Sequence, residues 1–161
     1  MNIRPATEAD TDAMWRIIGP TIRAGATYTL DPAMSKDAAL RYWMGPDKET
    51  FVAENGGSVV GTYYLRANQA GGGAHVANCG YMTAADAQGL GVARAMCAHS
   101  IAHARERGFR AMQFNFVVST NERAVRLWHS LGFETVGRLP GAFRLPSEEY
   151  VDALVMFRSI V

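Results

Sequence analysis

Hydrophobic positions along this chain alternate between a helical period near 3.6 and a strand period of two, and each switch marks an element. Asn2 to Pro5 reads as a short first strand. Thr7, with Asp10 three residues on, forms a capping-box pattern that opens a helix with the apolar stripe Met14, Ile17, Ile18 and Ile22. Arg23 to Pro32 is polar, small and turn-rich. Ser35 caps a short second helix through Leu40 and Trp43, which ends near Gly45-Pro46. Thr50 to Glu54 and Val59 to Arg66 read as strands joined by Asn55-Gly56-Gly57, a strong hairpin signal. A glycine-rich loop, Gln69 to Gly73, then leads into an apolar central strand, Val76 to Met82.

From Leu90 to Arg107 the helical period returns. Leu90, Ala93, Cys97, Ile101 and Ala104 share one face, and Gly108 terminates the segment. Ala111 to Val118 reads as a buried strand. Asn121 opens a last helix, with Ala124, Val125, Trp128 and Leu131 facing inward and Gly132 after it. Glu134 to Leu139 and Tyr150 to Ile160 are the closing strands, separated by a loop containing Pro140 and Pro146. Strands first, then helices interleaved with strands, predict an α/β (α+β) protein with a mixed sheet and helices on both faces. No linker, repeat or composition shift divides the chain, so one domain is expected over residues 1–161.

The run Gln88-Gly89-Leu90-Gly91-Val92-Ala93 sits at the junction of the central strand and the long helix. Its glycines allow a tight turn and leave the N–H groups of the first helical turn uncovered. Those groups, with the positive end of the helix dipole, make an anion site suited to the pyrophosphate of a nucleotide-bearing cofactor. By itself a Gly-x-Gly is more often only a tight turn. The second half of the chain narrows the reading.

Gln88, Gly91 and Ala93 satisfy the pattern Gln/Arg-x-x-Gly-x-Gly/Ala. Asn121, Ala124, Leu127, Trp128 and Leu131 to Phe133 satisfy a later block, Asn-x-x-Ala-x-x-Leu-aromatic followed by Leu-Gly-Phe. In these motifs, and in the order of its elements, the chain resembles the GNAT superfamily of acetyl-CoA-dependent N-acetyltransferases. The resemblance implies a largely antiparallel sheet of the seven strands read above, acetyl-CoA as cofactor, and direct transfer to a small amine in a ternary complex. It implies that main-chain groups of Gln88, Gly89, Leu90, Gly91, Val92, Ala93 and Arg94 hold the pyrophosphate. Met82 and Thr83 would offer backbone groups to the pantetheine arm, and Asn121, Ala124 and Trp128 would complete that wall. Thr27 and Tyr28 fall in the loop that roofs the superfamily's acceptor pocket. Many relatives carry a Tyr where Trp128 stands, proposed as the acid that reprotonates the thiolate; an indole N–H cannot deliver that proton.

Asn78 and Asn115 break the pattern of the strands that contain them. Asparagine is depleted in strands, and an unpaired buried amide costs about 1–3 kcal/mol. Such breaks mark functional or strained positions, or a bulge or hydrogen-bond bridge between strands. With Asn121, the two also resemble the fungal branch that acetylates azetidine-2-carboxylate and related proline analogues, near the phosphinothricin-type amino-acid acetyltransferases. That resemblance gives the strand asparagines a part in substrate handling and catalysis. An amide can orient an amine or donate to an oxyanion, and it cannot act as a base at neutral pH.

Composition closes off other classes. A net charge of +1 gives no case for nucleic acid or an acidic membrane surface, and no apolar run approaches a membrane span. The N-terminus lacks a basic-then-apolar signal pattern, so the cytoplasm is the expected address. Two cysteines make no disulfide framework; Cys79 and Cys97 are expected reduced and buried. His99 and His103 share a helix face without a third ligand, which favours a solvated face over a metal. His75 and His129 read as surface or hydrogen-bonded residues and not as bases. Glu54 is the one carboxylate weighed as a base, against a solvated strand end. Arg66, Arg138 and Arg144 are candidates for a substrate carboxylate. The expected acceptor is an amino acid or analogue; a protein N-terminus or lysine, and a non-catalytic acyl-CoA sensor, stay as alternatives. The resemblance also leaves room for a homodimer.

Overall fold

Side-chain alternation in the strands divides the interior into two layers. A computed structural model describes residues 1–161. Seven strands form: β1 (Asn2–Pro5), β2 (Glu49–Asn55), β3 (Ser58–Ala67), β4 (Val76–Thr83), β5 (Ala111–Val118), β6 (Glu134–Arg144) and β7 (Tyr150–Ser159). They join in one sheet, ordered β1-β2-β3-β4-β5-β7-β6. Four helices cover it: α1 (Thr11–Ala24), α2 (Lys36–Trp43), α3 (Val92–Glu106) and α4 (Glu122–Ser130). Phe51, Tyr63, Leu65 and Met112 point to the face where α3 lays Met96, Cys97, Ile101 and Ala104, with Trp128 of α4 in the same cluster. Val52, Tyr64 and Met82 point the other way, onto Met14, Ile18 and Ile22 of α1 and Trp43 of α2. Thus the stripe Met14, Ile17, Ile18, Ile22 is the buried face of α1. No helix is long and apolar enough to cross a membrane.

One strand pair positions the site. All neighbours are antiparallel except β4 and β5, which run parallel and pair only at Val76↔Ala111 and Ala77↔Met112 before parting. The sheet therefore splits along its middle. Beyond the split β5 follows β7 through an irregularity between Phe114 and Val117, which sets Asn115 and Phe116 on a bulge.

Several expectations are corrected. The long helix begins at Val92; Leu90 stands outside it, 60% exposed, and does not share the buried face. Pro140 lies within β6, not in a loop. β6 is an edge strand, where a missing N–H breaks no ladder, and its register slips between Leu139 and Phe143. Thr7 and Asp10 do cap, with Thr7 N–H donating to Asp10 Oδ2 at 2.8 Å, but they open a 3-10 turn, Glu8–Asp10, that runs into α1. The face bearing His99 and His103 is half-buried and packed, not freely solvated. His99 Nδ1 meets Tyr63 Oη at 2.7 Å, His103 Nε2 lies 3.4 Å from Glu49 Oε1, and both rings pack edge-on to Phe51. Burial holds the His99 pKa below its ordinary value. No cluster of metal-ligating side chains forms.

Candidate active site

The split between β4 and β5 opens a cleft of about 710 Å³. At its mouth, Gly89 and Gly91 adopt left-handed φ of 83° and 79°, and Gly91 caps α3. The first main-chain bond into the helix runs from Ala95 N–H to Gly91 C=O at 3.0 Å, so the N–H groups of Val92, Ala93 and Arg94 have no helical acceptor. A Cβ built on Gly91 meets nothing within 4 Å, so the space over these groups is open. In α4, whose N-cap is Asn121, Ala124, Trp128 and Arg123 line the facing wall. Arg123 reaches over the turn, with its Nη2 3.4 Å from where a Gly89 Cβ would stand. Arg94 Nη2 donates to Ser130 Oγ at 2.8 Å, tying α3 to α4 across the mouth.

Deeper in, β4 offers a free edge. Ala84 N–H bonds Val60 C=O on the β3 side, and Tyr81 N–H bonds elsewhere, so by alternation Cys79, Tyr81 and Thr83 turn their main-chain groups toward the gap. Met82 therefore gives its main chain to β3, and its side chain packs in the α1–α2 core while still forming part of the cleft wall. Tyr81 was not anticipated as a site residue. The period-2 pattern leading into the glycine turn carried the signal. Its ring is walled by Trp128 at 5.2 Å and Phe114 at 5.8 Å. Tyr28 crosses from the α1–α2 loop, and its Oη accepts from Tyr81 N–H at 2.9 Å and donates to Tyr81 C=O at 2.5 Å.

At the closed end of the split lie the asparagines. Asn78, 6% exposed, donates from Nδ2 to Gln113 C=O at 3.0 Å and accepts from Arg66 Nε at 3.2 Å. It stitches β3 through β4 to β5 at the point where the strands part. Asn115 is exposed on the bulge, accepting from Gln113 Nε2 at 2.8 Å and donating to Asn68 Oδ1 at 2.6 Å. Thr27, Tyr28, Tyr42 and Tyr64 roof this end. Of the residues expected to hold the cofactor, Leu90 alone does not line the cleft. Arg138 and Arg144 pair with Asp152 and Glu148 elsewhere, and Glu54 is held by Arg4. Arg123 and Arg126 of α4, Tyr42 of α2 and Tyr64 of β3 were missed; they reach the cleft through tertiary packing that local pattern does not encode.

Every charged side chain lining the cleft is an arginine: Arg66, Arg94, Arg123 and Arg126. Open helix-start N–H groups, cationic walls and a free strand edge fit a diphosphate-linked acyl carrier. Fold and site together define an acyltransferase. The Acetyltransferase (GNAT) family model matches residues 15–133, so the chain belongs to that family: it is an N-acetyltransferase, and acetyl-CoA is its acetyl donor. It is 28% identical over 151 residues to N-acetyltransferase aca1 of Schizosaccharomyces pombe, covering 83% of this chain and 72% of the relative. A GCN5-related N-acetyltransferase from Kribbella flavida superposes with a TM-score of 0.93 at 43% identity, covering 98% and 96% of the two chains. A phosphinothricin acetyltransferase from Sinorhizobium meliloti, solved with acetyl-CoA, shares the fold with a TM-score of 0.86 at 21% identity, covering 98% and 87%.

Proposed function

We propose that the acceptor is a small molecule carrying both an amine and a carboxylate, an amino acid or a close analogue. The observation that carries this reading is the charge of the lining. Two of the four arginines, Arg94 and Arg123, stand at the helix starts beside the glycine turn, where a diphosphate belongs, and Arg126 follows on α4, paired with Glu122 at 3.8 Å. Arg66 lies apart from them, beside Asn78 at the closed end, and no acidic side chain lines the cleft. Arg66 spends Nε on Asn78 and stacks over Tyr64 at 5.6 Å. Its only ionic partner, Asp47, is at the outer limit of contact, 3.8 Å. The terminal nitrogens of such a fork recognise a carboxylate in paired hydrogen bonds. The likeness to phosphinothricin acetyltransferases is compatible with this acceptor class.

Within this reading each region has its part. The N–H groups from Gln88 to Arg94, with Arg123, hold the diphosphate. Thr83 and Tyr81 present main-chain groups to the pantetheine arm and the thioester, while Asn121, Ala124 and Trp128 form the opposite wall. Acetyl-CoA supplies an activated acyl group. Asn115, with Thr27, orients the amine, and Asn78 holds Arg66 in place. The cytoplasm, where acetyl-CoA and free amino acids meet, suits this chemistry.

The test is release of coenzyme A thiol with a panel of amino acids, their esters and their decarboxylated amines. Free amino acids should be the preferred acceptors, and Arg66→Gln should raise their KM by about tenfold or more while leaving decarboxylated amines unaffected. Equal turnover of amino acids and their decarboxylated counterparts overturns the carboxylate reading.

A further inference from the structure

Tyr28 is held by contacts that roofing a pocket does not require. Its hydroxyl bonds both the N–H and the C=O of one residue, Tyr81, at 2.9 and 2.5 Å. Those are groups that β5 would have paired had the two strands stayed together. The phenol thus takes the place of a missing strand midway along the free edge, between Cys79 and Thr83. Its ring is braced edge-on to Trp43 at 6.1 Å, so the hydroxyl is aimed by packing as well as by hydrogen bonds.

A hydroxyl oxygen accepting from Tyr81 N–H sits where an acyl oxygen would accept from it. We propose that the Tyr28 hydroxyl keeps the place of the thioester oxygen in the free enzyme, yields Tyr81 N–H to it on docking, and then serves as its second hydrogen-bond donor. The proposal rests on the cleft being the acetyl-CoA site and is independent of the acceptor's identity. Tyr28 then becomes a catalytic residue in addition to a wall of the acceptor pocket.

The chemistry is that of an oxyanion hole. As the acceptor nitrogen bonds to the carbonyl carbon, the C=O electron pair moves onto oxygen, where Tyr81 N–H and Tyr28 O–H both point. Collapse restores the C=O bond, the C–S bond breaks, and the pair leaves on sulfur as thiolate; the ammonium proton is lost to solvent. Tyr28 keeps its own proton throughout. Burial raises its pKa far above the ordinary tyrosine value, so it is a neutral donor at any working pH. Trp128, which lacks an O–H, is not needed for this role.

The experiment compares wild type with Tyr28→Phe, which keeps the ring against Trp43. One readout is turnover, expected to fall about 10²-fold with little change in Kd for coenzyme A. The second is the infrared carbonyl band of isotope-labelled acetyl-CoA bound to each protein without acceptor. Loss of a donor should move that band to higher frequency in Tyr28→Phe. A fluorotyrosine installed at position 28 donates more strongly with the ring unchanged, so it should move the band to lower frequency. This third protein decides the matter if Tyr28→Phe fails to fold. A band indifferent to the residue at position 28 overturns the proposal while the site assignment stands. Wild-type protein that fails to bind acetyl-CoA overturns both.

Discussion

Two asparagines interrupt strands for different physical reasons, and this separates their expected roles. Asn78 is buried at the last contact between β4 and β5, with its oxygen on Arg66 and its nitrogen on Gln113 C=O. A buried amide in that position satisfies the strand edge where the ladder stops, and it fixes the arginine beside it. In the function proposed above it acts as a positioning residue. Asn115 lies on the bulge that re-aims β5, exposed to the cleft, with one N–H spent on Asn68 and the second free. If Asn115 orients the amine as proposed, its free amide donor contributes in the transition state and not in cofactor binding. Asn115→Ala should therefore lower kcat by about 10²-fold while Kd for acetyl-CoA changes little. Stopped turnover with weakened cofactor binding would instead mean that the bulge itself had collapsed.

At the scale of elements, strand edges and helix starts carry both stability and legibility. Arg4 on β1 grips Asp10 at the start of α1 and Glu54 on β2, both at 2.8 Å, joining three elements by one guanidinium. The Arg4 hydrogen bonds chiefly hold the Asp10 carboxyl at about 2, below its ordinary 3.8; burial opposes this, and Thr7 N–H assists. A depressed folded-state pKa means that the unfolded chain binds the proton more readily. The contribution, up to about 2 kcal/mol, is complete above about pH 4 and is lost as pH falls toward 2. Thermal unfolding from pH 6 to 3 should show this loss, and Asp10→Asn should flatten the slope; an unchanged slope means another carboxylate is responsible. The same elements show what local pattern can encode. Alternation in β2 to β5 and the stripe of α1 are properties of consecutive residues, so the succession of strands along the chain, the glycine turn and the Asn121 helix start were all legible. The split of the sheet was not, because it depends on how far β4 and β5 stay in register. Tyr28's bond to Tyr81, 53 residues away, and Arg123 over Gly89 exist only after packing. Leu90 misled because its place in the apolar period ignored the left-handed turn at Gly91.

For the molecule as a whole, the decisive property is what the cleft does not hold. No carboxylate and no histidine line it, and Glu54, once weighed as a base, is bound to Arg4 on the far edge of the sheet. The only thiol on its wall, Cys79, is buried, and desolvation pushes it up to about 12, which leaves no thiolate to take the acyl group. The tyrosines Tyr28, Tyr64 and Tyr81 are likewise raised by burial and stay neutral. In the function proposed above the protein contributes orientation and donors, and proton removal falls to the acceptor's own equilibrium with water. Only the unprotonated amine attacks, so kcat/KM should rise with pH, one decade per pH unit, and level off above the amine's pKa. Two acceptors whose amines differ in pKa should give profiles displaced by that same difference. A shared inflection near neutrality, the same for both acceptors, would reveal a base within the enzyme and refute this division of labour.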